Sequence, residues 1–250
     1  MKLSNRPAIP ARKFERLLAI SDIHGHGEGL DLLLREAGYN PNKDQLILGG
    51  DYVDTDPDTW HILDRIIGLT DEGAIALPGN HELKLLALQP SSRFRIESKL
   101  RWLRELPPCA EAGGFLFVHA GFRPGIPLEQ QSLRDMIEIR EPFWNSGEQD
   151  FNRNDRIAGR TIVFGHTPTF KLGATPGSIW TRPGKIAIDT GAKHGLRLTL
   201  IDLANAITYS CSTAPDRLYR DVRQQKFCLA DAGSNAVQPQ AVTPQVLFPE

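Results

Sequence analysis

The chain has 250 residues, enough for one larger α/β domain or two small ones with a buried core, and the expectation is a single domain over residues 14–228. Its 29 Lys and Arg against 30 Asp and Glu leave a formal charge of −1, which argues against a general pull toward a nucleic-acid duplex or an anionic membrane, so a local site must supply any anion binding. The three cysteines, Cys109, Cys211 and Cys228, form no CxxC pair, which argues against a thiolate zinc site or a disulfide framework and for reduced thiols in the cytoplasm.

Met1 to Arg16 is basic but lacks the apolar h-region of a signal peptide. The apolar run Leu17-Leu18-Ala19-Ile20 then reads as a buried strand that ends in Ser21-Asp22-Ile23-His24-Gly25-His26. On an extended backbone residues two apart point the same way, so Asp22 and His24 could grip one cation; a polar turn with satisfied hydrogen bonds is the plainer alternative. Glu28 to Ala37 has helical apolar spacing and Gly38 as its stop. The scheme repeats with Asp44 to Leu48 before Gly49-Gly50-Asp51-Tyr52-Val53-Asp54, a helix near Trp60 to Ile67 capped by Asp58, and Ala74 to Pro78 before Gly79-Asn80-His81-Glu82.

Such alternation predicts parallel strands with sites gathered outside their carboxyl ends, where Asp22, His24, Asp51, Asp54, Asn80 and His81 would meet. Pro90 to Leu106 reads as a basic helix, a solvated face or an anion-facing lid. Phe115 to Val118 and Thr161 to Phe164 are strands running into His119-Ala120-Gly121 and Gly165-His166-Thr167. Between them, Phe122 to Arg160 reads as irregular structure and short helices. Ile186 to Ile188 and Leu196 to Ile201 add strands, and Ala206 to Cys211 closes a hairpin with the latter. Residues 229–250 read as a flexible tail in which Val246-Leu247-Phe248 could dock.

Four of the seven histidines, His24, His81, His119 and His166, follow apolar strands beside glycine. With Asp22, Asp51 and Asn80 they form a hard and borderline N/O donor set suited to Mn, Fe, Co or Zn. The five motifs around them, in this order, resemble those of calcineurin-like metallophosphoesterases, in the phosphoprotein phosphatase branch that includes bacterial serine/threonine phosphatases and symmetrical diadenosine tetraphosphatases. The resemblance implies an αββα sandwich, two facing mixed sheets flanked by helices, and two divalent ions, Mn2+ first and Fe, Zn, Co or Ni as alternatives. It assigns Asp22, His24 and bridging Asp51 to one metal, and Asp51, Asn80, His119 and His166 to the other. A metal-bridging hydroxide would attack in line at phosphorus, with His81 as proton donor and Asp54 orienting it; a mere brace of the loops is the alternative for that pair.

Arg140 resembles a phosphate-contacting arginine, its alternative being a surface ion pair with Glu141 or another neighbour, and Asn80 would also touch substrate. Arg123 is a weaker candidate. His26 could touch substrate or brace the site, and Asp189 is expected to support it. Thr55 stands where relatives carry an arginine. The expected function is a phosphomonoesterase acting on phosphorylated serine or threonine in proteins. A dinucleoside polyphosphate or other small phosphoester hydrolase, and a non-catalytic metal-binding scaffold, are the alternatives.

Overall fold

The computed structural model describes residues 13–88, 96–151, 156–229 and 245–247. Two six-stranded mixed sheets face each other. The first has the order β11-β10-β9-β1-β2-β3, built from β1 (Arg16–Ile20), β2 (Asp44–Leu48), β3 (Ile75–Ala76), β9 (Arg197–Asp202), β10 (Ile207–Ser212) and β11 (Arg223–Lys226). The second has the order β12-β4-β5-β6-β8-β7, from β4 (Cys109–Ala112), β5 (Phe115–Val118), β6 (Thr161–Phe164), β7 (Trp180–Arg182), β8 (Lys185–Ala187) and β12 (Gln245–Leu247). Three strands run parallel in each sheet: β1, β2 and β3 from the middle to one edge of the first, β5, β6 and β8 at the centre of the second.

The period-two pattern of these strands makes the layers. Leu17 and Ala19 of β1 and Ile47 of β2 point between the sheets, against Phe115, Phe117 and Val163. Their neighbours Leu18, Ile20, Leu46 and Leu48 point outward, under α1 (Gly27–Glu36) and α2 (Ile62–Asp71). On the far side Leu116, Val118, Ile162 and Phe164 pack with Met136 of α5 (Leu133–Glu138) and Phe143 of α6 (Glu141–Trp144). Strands apolar on both faces need cover on both, which is why helices close each side of the sandwich.

Asp58 does not cap the second helix. Asp56 accepts from Asp58 N at 3.0 Å and caps a short 3-10 turn over Pro57–Thr59, and α2 begins only at Ile62. The expected basic helix is seen as α4 (Glu97–Arg104), where Leu100 and Leu103 are buried and Lys99 pairs with Asp64 on α2 at 2.8 Å, the arrangement of a solvated face. Its first part, 90–95, lies outside the described residues, as do the N-terminal residues before 13. Of the expected tail only Leu229 and Gln245–Leu247 are described; β12 pairs antiparallel with β4, Val246 opposite Ala110. No helix among the described residues is long and apolar enough to cross a membrane.

Candidate metal centre

Each predicted ligand follows a strand, five on loops and Asn80 at the start of a helix. Asp22 N and His24 N donate to Gly50 O and Asp51 O, both at 3.0 Å, stitching together the loops after β1 and β2. Asp22, His24, Asp51 and His166 all adopt positive φ, at 54°, 46°, 53° and 66°. A non-glycine residue held there carries on the order of 1–3 kcal/mol of strain, and such strain collects where side chains must be aimed at a site. Asp22 and His24 therefore converge through left-handed turns, not through the extended-strand alternation expected from the sequence. A Cβ at Gly165 would collide with the side chains of Asp22 and Ser21. The glycine lets the β6 loop close in, and His166 N then donates to both Asp22 oxygens at 3.1 Å.

The side chains form two groups that meet at Asp51. Ligand atoms of Asp22, His24 and Asp51 lie within 4.8 Å of one another, as do those of Asp51, His119 and His166. Asp51 Oδ2 is 3.9 Å from His24 Nε2, while Oδ1 is 3.4 Å from His119 Nε2, so each carboxylate oxygen serves a different group. Asn80, the first residue of α3 (Asn80–Leu86), joins the second group with Oδ1 3.0 Å from His166 Nδ1.

This donor set fits divalent cations. Four histidine nitrogens are buried without a hydrogen-bond partner among the described residues, although buried polar atoms are otherwise almost always satisfied: His119 Nε2 and His166 Nε2 in the second group, and His24 Nδ1 and His81 Nδ1 beside Asp54. The Asn80 oxygen faces acceptors; only with the amide turned over would its nitrogen donate to His166 Nδ1 at 3.0 Å and Asp51 Oδ2 at 3.2 Å. With the oxygen inward, lone pairs converge on a space that a cation satisfies. Burial lowers His24 to about 4 and His166 to about 3, so both imidazoles are neutral near pH 7, as metal ligation requires. Burial pushes Asp22 up to about 7. It also works against charge on Asp51 and His119, but their mutual attraction prevails, holding Asp51 below the usual carboxylate range and favouring the His119 imidazolium. A cation beside Asp51 competes with that proton for Nε2, because Nδ1 is turned to Gly49 O at 2.8 Å.

Ligand atoms of His24, Asp54 and His81 also lie within 4.8 Å of one another. Here, however, Lys193 Nζ is 2.9 Å from Asp54 Oδ1 and 3.3 Å from His81 Nε2, and an ammonium in that place opposes a further cation. His81 Nδ1 is 3.3 Å from the same Asp54 oxygen, and its ring meets His24 edge-on with centroids 4.9 Å apart. The Asp54–His81 pairing expected from the sequence is thus formed at the edge of the ligand groups. Beside it opens a shallow cleft lined by Asp54, Thr55, Trp60, His81, Lys84, Leu85 and Leu88.

The family model described as calcineurin-like phosphoesterase matches residues 15–200. The chain belongs to that family. It is 34% identical over 132 residues to the symmetrical bis(5'-nucleosyl)-tetraphosphatase of Acidovorax sp. strain JS42, covering 46% of this chain and 47% of that protein. To the protein of the same name from Chromobacterium violaceum it is 34% identical over 167 residues, covering 61% and 57%. The chain spans about half the length of these curated relatives. Among solved structures, one described as a candidate diadenosine tetraphosphatase aligns with a TM-score of 0.63 at 23% identity, covering 80% of this chain and 94% of that chain. A serine/threonine phosphatase from Saccharomyces cerevisiae aligns at 0.57 and 13% identity, covering 88% and 82%. Both share the fold.

In this phosphoesterase the other predicted residues divide. Arg140 is exposed, pairs with no carboxylate among the described residues, and donates to Thr167 Oγ1 at 3.4 Å, next to His166. The expected alternative, an ion pair with Glu141, is not formed. Arg123 is paired with Asp135 through Nε at 2.9 Å and Nη2 at 2.5 Å on the surface. His26 Nδ1 is 3.0 Å from Tyr219 OH, a brace between α1 and the loop after β10. Asp189 is buried, accepts from Gly191 N at 3.0 Å, and has its pKa raised well above the ordinary value by burial and by Asp22. Thr55 is exposed and donates its N–H to Asp54 Oδ1 at 2.7 Å.

Two residues carry weight that sequence reading did not assign. One is Lys193. The other is Glu82, fully buried, whose carboxylate accepts from the backbone N–H of Asp51 (2.8 Å), Tyr52 (2.9 Å), Val53 (3.2 Å) and Gly79 (2.8 Å). It thereby ties the β2 loop to the start of α3. Glu82→Ala would leave these donors buried and unpaired, so the melting temperature should fall by roughly 10 °C, corresponding to roughly 3–5 kcal/mol. Calorimetric melting of the variant checks this, and a fall of less than about 2 °C would refute the role.

Proposed function

We propose that this phosphoesterase is a dinuclear, metal-dependent hydrolase of small phosphate esters and anhydrides, with dinucleoside polyphosphates as its substrate class. The observation that carries the reading is the meeting of the two ligand groups at Asp51, each facing one of its oxygens. We assign Asp22, His24 and Asp51 to one cation, and Asp51, Asn80, His119 and His166 to the other, with Mn2+ as the ion and residues 14–228 as the catalytic domain. Bound there, the cations would supply positive charge to the phosphoryl group and acidify a water.

The remaining work falls to the chain itself. His81 would give up a proton from Nε2 to the leaving oxygen once Lys193 Nζ, 3.3 Å away, turns aside, with the Asp54 carboxylate 3.3 Å from Nδ1 on the other side; such acid catalysis is worth about 10²–10⁴-fold. Arg140 offers a planar fork of donors to phosphate oxygens on the His166 side. With its oxygen turned inward, the Asn80 amide nitrogen lies toward Lys84 Nζ, on the outer side of the ligand group.

Identity with symmetrical tetraphosphatases supports the dinucleoside polyphosphate over the phosphorylated protein that the sequence first suggested, because the likeness to the yeast phosphatase is one of fold. The intact His81–Asp54 pair speaks against a scaffold that only binds metal. The test is to compare kcat/KM of the Mn2+-loaded chain for diadenosine tetraphosphate and for a phosphothreonine peptide. A preference of tenfold or more for the dinucleotide is expected; the reverse preference would make it a protein phosphatase, and hydrolysis of neither would overturn the enzyme reading.

A further inference from the structure

Lys193 sits on the turn Ala192–His194 that follows β8, and this turn is firmly seated: Ala192 is buried and its carbonyl accepts from Thr213 Oγ1 at 2.9 Å. From that support the side chain, 39% exposed, reaches across to the opposite sheet's loop and places Nζ 2.9 Å from Asp54 Oδ1 and 3.3 Å from His81 Nε2. The loop it meets contributes Asp54, Asp56 and Asp58 and no cation, since Thr55 carries no charge. An anionic substrate approaching His81 Nε2 meets the Asp54 carboxylate there, and Lys193, together with Lys84 in the adjoining cleft, supplies the positive charge that offsets it.

We infer that Lys193 binds the substrate's phosphate oxygens beside His81 and so sets the preference for substrates with more than one phosphate. An ammonium has three donors on a flexible stem, so one can stay on Asp54 while the others turn to phosphate. An ion pair this exposed is weak and gives up a donor readily. Arg140 lies beside His166 and Lys193 beside His81, so the two cations flank the ligand groups from different sides. A chain of phosphates offers an oxygen to each of them. This assignment rests on the proposed hydrolase reading.

Binding of inorganic phosphate to the full Mn2+-loaded chain, followed by calorimetry, tests Lys193 without turnover. Lys193→Ala should weaken phosphate about 10- to 100-fold, in line with the loss of a charged hydrogen bond, and Lys193→Arg should restore most of it. Manganese content should not change. In turnover, Lys193→Ala should raise KM for diadenosine tetraphosphate more than KM for p-nitrophenyl phosphate. Phosphate bound equally by wild type and Lys193→Ala, or not bound by the wild type, overturns the assignment. If the wild type binds phosphate through Lys193 yet hydrolyses no dinucleotide, the substrate reading falls and the phosphate site stands.

Discussion

Asp51→Asn should lower kcat by roughly 10³-fold or more and leave less than a full complement of metal on the chain. Asp51 is the one side chain common to both ligand groups, and its two oxygens face different histidines. An amide keeps one oxygen and turns an NH2 toward the other group, so one side loses an anionic ligand and gains a donor. Several kcal/mol of charge stabilisation at the phosphoryl group goes with it, which converts to the stated factor at 1.36 kcal/mol per decade. The variant should fold, because the Asp51 charge opposes ionisation of its buried neighbours Asp22, Glu82 and Asp189. Steady-state kinetics with metal analysis on the purified variant checks this; two bound metals and kcat within tenfold of wild type would refute the bridging role.

His81→Asn should keep both metals and still lose about 10²–10⁴-fold in kcat on substrates with poor leaving groups. His81 is placed by Asp54 and by its edge-on contact with His24, and it is not among the residues assigned to either metal. Its Nε2 lies 3.3 Å from Lys193 Nζ, and with the ammonium turned to phosphate Nε2 is free to carry the proton that a leaving alkoxide or phosphate takes. Burial lowers its pKa, with Lys193 adding to the effect and Asp51 and Asp54 opposing it, so the ring parts with a proton more readily than a free imidazole. A leaving group as acidic as p-nitrophenol needs little help, so the variant should be nearly normal on p-nitrophenyl phosphate. The dependence of kcat on leaving-group pKa is the measurement. A parallel loss on all substrates would make His81 a brace of the loops.

The sequence made the ligand positions legible because each ends a short apolar run beside glycine, a pattern visible without coordinates. The two-layer sheet was legible only through resemblance, since the strands' alternation alone suggested one parallel arrangement. What stayed hidden has physical reasons. The left-handed φ of Asp22, His24, Asp51 and His166 is imposed by tertiary closure, and nothing in those residue types announces it. β4 and β7 are short strands whose sequences, Cys109–Ala112 and Trp180–Arg182, show no clear apolar run, and β11 is exposed and polar. Lys193 is 139 residues from Asp54 along the chain, a pairing that no local pattern reveals. Glu82 stood inside a recognised motif, but that its carboxylate gathers the backbone N–H groups of two loops depends on how those loops close around it.

The central claim is a site that holds two cations and works only with both. Strip the chain with a chelator, add Mn2+ stepwise, and follow bound metal together with hydrolysis of p-nitrophenyl phosphate. Two equivalents bound, with activity rising mainly on the second, is the predicted result. Full activity at one equivalent, or activity that persists with no divalent ion, would contradict it.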